Sequence, residues 1–131
     1  MRFFLDNTLP PPLAEALHAL CRSDSHEVRH LRDRFQPDTD DVVWINTPAQ
    51  EGDWIIISGD PRITKNPHER VAWLTSGLTA FFLKPGWSNL QFWVQVSKLV
   101  YWWPRIMTEA ERARSGSGFL IPVKGNEIER I

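Results

Sequence analysis

Nothing in this 131-residue chain can close a disulfide on itself, because its only cysteine is Cys21. A chain without internal cross-links must be held by its core, and the lack of paired cysteines favours a reducing compartment. A lone thiol more often behaves as a small buried apolar residue than as half of a Cys–His catalytic pair. Long apolar runs are missing as well. The most apolar stretch, residues 90–103, is interrupted by Gln91, Gln95, Ser97 and Lys98 and falls short of the roughly 20 residues that a bilayer span requires. The opening run meets a carboxylate at Asp6, too soon for a secretion signal. A cytoplasmic protein outside the membrane is therefore expected. There is also no excess of one charge: 15 basic and 16 acidic side chains leave a formal net charge of −1. That balance neither demands nor excludes nucleic acid, since an enzyme touching few phosphates needs only a local basic patch.

What is present is enough for one folded domain. Hydrophobic residues make up 42% of the chain, and the length suffices to bury a core without staples. No internal repeat, low-complexity block or second domain interrupts residues 1–131. Arg2 to Leu5 reads as a short buried strand. The prolines at 10, 11 and 12 can enter a helix but not continue a strand, and Leu13, Ala16, Leu17 and Leu20 recur at helical spacing up to Cys21. Glu27 to Leu31 alternates as a second strand. Val42 to Gln50 reads as a short helix, Gly52-Asp53 as a turn, and Trp54 to Ser58 as a central strand apolar on both faces. Pro67 to Ser76 reads as a helix closed by Gly77, and Thr79 to Leu83 as another buried strand. Ser88 is the expected N-cap of a long helix that Pro104 ends near Trp103. Thr108 with Glu111 has the capping-box pattern of a further short helix to Arg114. Phe119 to Lys124 reads as a last strand or an extended tail. Strands alternating with helices imply right-handed βαβ units. The expected fold is a three-layer α/β/α sandwich with a mainly parallel sheet, residues 1–87 forming the core and 88–131 a Trp-rich helix and tail.

Sites in such a sheet form beyond the carboxyl ends of strands, where the strand order reverses. Asp6 follows the first strand, Asp60 follows Trp54–Ser58 after one glycine, and Asp41 opens the helix leading into that strand. If the first and third strands are neighbours, these acids converge. Three converging carboxylates oppose one another's ionisation. Mg²⁺ or Mn²⁺ removes the conflict, because hard cations prefer oxygen ligands. Helix capping accounts for each aspartate taken singly, and Asp60-Pro61 has the form of an N-cap with proline at the first helical position.

Arg2-Phe3-Phe4-Leu5-Asp6-Asn7-Thr8-Leu9-Pro10 resembles the start of the PIN-like domains, the catalytic part of VapC-type toxins. The likeness continues through His26-Glu27-Val28-Arg29-His30-Leu31-Arg32-Asp33, through Asp41-Val42-Val43-Trp44-Ile45, and through Asp53-Trp54-Ile55-Ile56-Ile57-Ser58-Gly59-Asp60, covering residues 1 to about 87. The resemblance implies a metal-dependent endoribonuclease, often the toxin of a toxin–antitoxin pair, with Asp6, Asp41 and Asp60 as metal ligands. It also implies that Ser58 is the hydroxyl of a Thr-x-Asp-like motif and that Asn7 supports the ligands. Two positions depart from the pattern: Arg62 stands where many members carry a further Asp, and Asn7 where many carry Glu. Asp40 adjoins Asp41 as a substitute.

Arg62, Lys65, Asn66, His68 and Arg70 follow Asp60 on one segment, and Arg32 and Arg34 leave the second strand at the same edge. Arg62, Lys65 and Arg32 are candidates to hold RNA phosphates; a solvated charged face is the alternative. His68 reads as an exposed structural histidine, with general acid chemistry as the alternative. The helix carrying Leu90, Trp93, Val94 and Val100 is apolar nearly all round. It packs as an outer layer, or its surplus surface takes an antitoxin or forms a homodimer. A DNA or flap nuclease on the same fold is one alternative, since fold does not settle function, and two others compete. One is a PIN-like fold retained only as a binding module. The other is a phosphoryl-receiver domain, suggested by Phe82-Leu83-Lys84-Pro85. About two dozen residues separate Asp60 from Lys84, too few for the βα unit and strand a receiver needs there.

Overall fold

The computed structural model describes residues 1–6, 8–33, 51, 53–59 and 75–131. Its sheet is built from β1 (Arg2–Leu5), β2 (Glu27–His30), β3 (Trp54–Ser58), β4 (Thr79–Leu83), β5 (Gly118–Ile121) and β6 (Glu129–Arg130). They lie in the order β2-β1-β3-β4-β5-β6. The first five run parallel, and β6 returns antiparallel along β5. The fold is thus α/β with a mainly parallel sheet, as the alternation of strands and helices predicts.

Burial explains which sequences form which strands. Every residue of β3 and β4 is buried, and a strand covered on both faces reads as an unbroken apolar run. β2 lies at the sheet's edge and alternates, with Val28 and His30 buried and Arg29 exposed. A charged residue on an edge strand discourages pairing with another chain. Successive side chains point to opposite faces. Phe3, Leu5, Ile55, Ile57, Phe81, Leu83, Phe119 and Ile121 share one core; Phe4, Trp54, Ile56, Ala80 and Phe82 share the other.

Two helices cover the first core: α1 (Pro11–Cys21) and α2 (Phe92–Arg112). Helix α1 begins on its prolines, two residues ahead of the expected Leu13. Its buried residues are Leu13, Ala14, Leu17 and Cys21, while Ala16 and Leu20 face outward, contrary to the periodicity read from the sequence. On that buried face the Cys21 Sγ accepts the Trp103 indole N–H at 3.0 Å across to α2.

Helix α2 corrects two further expectations. Pro104 does not end it, and Thr108 does not start another. Pro104 lies inside α2 on its exposed side, so water can take the hydrogen-bonding place of the missing N–H. Leu99, Trp102, Trp103 and Ile106 are buried on either side of it and hold the helix to the sheet. The Thr108 hydroxyl donates back to the Pro104 carbonyl at 3.0 Å. Ser88 is not an N-cap; it sits in a 3₁₀ turn, Trp87–Asn89, ahead of the helix. The buried Trp87 ring ties that turn to β5 by donating to the Ile121 carbonyl at 3.1 Å.

The helix expected over 42–50 lies outside the described residues, as does that over 67–76 apart from its last two positions. Glu51, Thr75 and Ser76 are helical, and Gly77 follows at φ 75, a helix-ending conformation that suits glycine. The expected turn at 52–53 has Asp53 at φ 61, a region that aspartate tolerates better than most residues. Among the described residues, no helix is long and apolar enough to cross a membrane.

Candidate active site where β1 and β3 end

The chain leaves β1 for β2 on one side and returns to β3 on the other. The strand order therefore reverses at β1 and β3, and a crevice for ligands is expected beyond their carboxyl ends. Leu5 lies level with Ile57, and the Asp6 N–H donates to the Ile57 carbonyl at 3.1 Å. This register brings the first residue after β1 beside Ser58, the last residue of β3.

Asp6 is buried, at 5% exposure, where a carboxylate needs partners. Its Oδ2 accepts the Ser58 hydroxyl at 2.5 Å. Its Oδ1 accepts the Thr8 N–H at 3.0 Å and the Thr8 hydroxyl. The Leu9 N–H closes the turn on the Asp6 carbonyl at 3.2 Å. Aspartate favours such turns because its side chain can mimic a backbone acceptor two residues on.

Thr8 also joins this turn to the end of β3. Its Oγ1 accepts the Gly59 N–H at 2.6 Å. A Cβ on residue 59 would lie 2.8 Å from that oxygen and 3.2 Å from the Thr8 Cβ. Glycine permits the close approach of the two segments.

The β2 side is held by His30, which is 1% exposed. Its Nε2 lies 2.6 Å from the Leu9 carbonyl, and its Nδ1 accepts the Arg32 N–H at 3.0 Å. Arg32 itself is exposed, in a 3₁₀ turn directly after β2 at the same sheet edge as Asp6.

Of the residues singled out from sequence, Asp6, Ser58 and Arg32 are therefore placed along one edge, with Asp6 and Ser58 in contact. Asn7, Asp40, Asp41, Asp60, Arg62 and Lys65 lie outside the described residues, as do Arg34, Asn66, His68 and Arg70. Thr8, Gly59 and His30 were missed. Thr8 carries a local signal, a hydroxyl two residues after a strand-ending Asp. His30 carries a weaker one, the inward phase of Glu-Val-Arg-His. Among the described residues no three acids, histidines or cysteines converge as metal ligands; the donors at Asp6 and Ser58 are oxygens, the type that hard cations prefer and soft ones do not.

Two alternatives find no support. Cys21 is buried, and that burial pushes its thiol up from the ordinary range despite the Trp103 hydrogen bond; Asp24 adds to the rise. Such a thiol is a poor nucleophile. Lys84 follows the fourth strand rather than the last parallel one, and its ammonium pairs with Glu129 of β6, so a receiver's lysine is not reproduced.

A family model described as a PIN-like domain matches residues 1–85. The match begins before β1 and ends just after β4, leaving α2, β5 and β6 beyond it. Neither a curated protein nor a solved structure matches the chain.

Proposed function

This chain belongs to the PIN-like domain family, and from that premise we propose that it is a divalent-metal-dependent endoribonuclease, the toxin of a type II toxin–antitoxin pair. The observation that carries the reading is the buried Asp6 carboxylate at the switch point, gripped by Ser58 and Thr8. In this reading Asp6, Asp41 and Asp60 hold Mg²⁺ or Mn²⁺. When bound, the ion supplies an activated water and neutralises charge on the phosphate under attack.

The chain's own residues do the positioning. Ser58 and Thr8 fix the Asp6 oxygens so that the ligand does not have to be ordered when substrate arrives. Asn7 supports them with an amide. Arg32, exposed on the same edge, supplies a cation for an RNA phosphate, together with Arg62 and Lys65. A ribonuclease of this kind acts where RNA is, so the reading carries a cytoplasmic location with it. Helix α2 leaves Trp93 77% and Tyr101 60% exposed. Exposed aromatics of this size favour a protein partner, here a cognate antitoxin or a second copy of the chain.

The competing reading is a binding module that has lost its metal, favoured by Arg62 standing at an acidic position of the family pattern. Two measurements separate them: calorimetric titration with Mn²⁺, and incubation of end-labelled single-stranded RNA with Mg²⁺ or Mn²⁺. The nuclease reading expects saturable metal binding and cleavage that EDTA stops. Absence of both leaves the module.

A further inference from the structure

We propose that His30 is a positioning residue, one that sets the Asp6 carboxylate by holding, from the β2 side, the turn that Leu9 closes on Asp6; its effect on cleavage rests on the nuclease reading above. The geometry is a chain of contacts. His30 sits level with Leu5 in the β2–β1 register, and its ring is buried. Nε2 meets the Leu9 carbonyl at 2.6 Å. Because a carbonyl only accepts, Nε2 must carry the proton and donate. Nδ1 accepts the Arg32 N–H at 3.0 Å, so it must be bare. The two contacts demand opposite roles from the two nitrogens and define one tautomer, Nε2–H.

From Leu9 the path is short. The Leu9 N–H returns to the Asp6 carbonyl at 3.2 Å, so Leu9 is the closing residue of the turn. Within that turn the Thr8 N–H holds Asp6 Oδ1 at 3.0 Å. Thr8 and Gly59 tie the turn to β3, and the His30 ring ties it to β2. Asp6 is thus fixed from both neighbouring strands. An apolar side chain at position 30 would fill the space and leave a buried carbonyl and an N–H without these partners. One ring nitrogen is therefore spent on the loop that carries Asp6, and the other on the turn that follows β2.

Two conservative variants split the ring's roles. His30→Gln places an amide N–H where Nε2 was and keeps the donation to Leu9. His30→Asn places a carbonyl where Nδ1 was and keeps only the contact to Arg32. The full chain is compared in three forms by RNA cleavage with Mn²⁺ and by amide hydrogen exchange at Leu9. His30→Asn is expected to lower kcat about tenfold or more with KM within about twofold, since small misplacement of a reacting group is costly. Leu9 exchange is expected to accelerate about tenfold in the same variant as the turn opens locally. His30→Gln is expected to rescue both. Equal behaviour of the two variants, or an unchanged Leu9 amide in His30→Asn, overturns the proposal. Nitrogen-15 shifts of the wild-type ring give a check that needs no variant: the Nε2–H tautomer supports the proposal and the Nδ1–H tautomer overturns it. If the wild-type chain cleaves no RNA, the nuclease reading fails, while the exchange and tautomer measurements still decide what His30 does.

Discussion

Ser58→Ala removes the hydroxyl that donates to Asp6 Oδ2, a contact on which the site's geometry depends. The substitution deletes one oxygen from a fully buried position, 0% exposed, and leaves the rest of β3 unchanged. The lost hydrogen bond, 2.5 Å to Oδ2, is made to a carboxylate that is itself only 5% exposed. Solvent therefore replaces it poorly. A hydrogen bond to a charged group contributes about 1.5–3 kcal/mol, more than a neutral one. The vacated volume is less than a methyl group, so the cavity adds little. The expected loss is about 2 kcal/mol, which for a domain of this size lowers Tm by roughly 6–10 °C. Urea denaturation followed by tryptophan fluorescence measures it, with Asp6→Asn and the double variant completing a cycle. The contact predicts a coupling of at least about 1 kcal/mol between the two positions. A Ser58→Ala loss below about 0.5 kcal/mol, or two substitutions that simply add, would refute the view that Ser58 secures Asp6.

Two other perturbations probe the surroundings. Gly59→Ala would set a Cβ 2.8 Å from the Thr8 hydroxyl and should cost about 1–3 kcal/mol by overpacking; adding Thr8→Ala should recover part of it, and denaturation of the single and double variants checks this. The raised Cys21 thiol predicts a pH effect with a definite sign. The folded chain holds that proton to higher pH than the unfolded chain does, so the contribution is complete below the unfolded thiol range and declines as pH rises through and above it. Urea midpoints from pH 7 to 10 should fall, and the fall should be smaller in Cys21→Ala; alkylation by iodoacetamide should stay slow until the chain unfolds.

The parts of the fold legible in the sequence are those fixed by local pattern. β1, β3 and β4 have the boundaries expected of them, because strands buried on both faces are written as unbroken apolar runs between turn residues. The adjacency of β1 and β3 was conditional in the sequence, and it is what brings Asp6 to Ser58. Features decided by tertiary contact were not legible. Pro104 ends helices by its own chemistry, yet buried tryptophans at 102 and 103 and Ile106 beyond carry the helix past it. Helix α1 buries Leu13, Ala14, Leu17 and Cys21, the last against Trp103 from most of the chain away, and leaves Leu20 exposed. β6 has two charged residues, Glu129 and Arg130, and no apolar signal at all. At the site, Asp6 was legible by its position directly after β1, and Ser58, the last residue of β3, only through the resemblance of Ser58-Gly59-Asp60 to a Thr-x-Asp motif. The roles of Thr8, Gly59 and His30 in joining the strands were not legible, because the Thr8–Gly59 and His30–Leu9 hydrogen bonds join residues far apart in sequence.

Asp6 as a metal-holding acid of a ribonuclease is tested most directly by single-turnover cleavage of a labelled RNA in Mn²⁺. Wild-type chain should cut the RNA only with the metal present. Asp6→Asn should cut at least about a thousandfold more slowly, the scale expected when a group central to transition-state stabilisation is removed, with its circular dichroism unchanged. An Asp6→Asn chain that cleaves at the wild-type rate, or a wild-type chain equally active in EDTA, would contradict it.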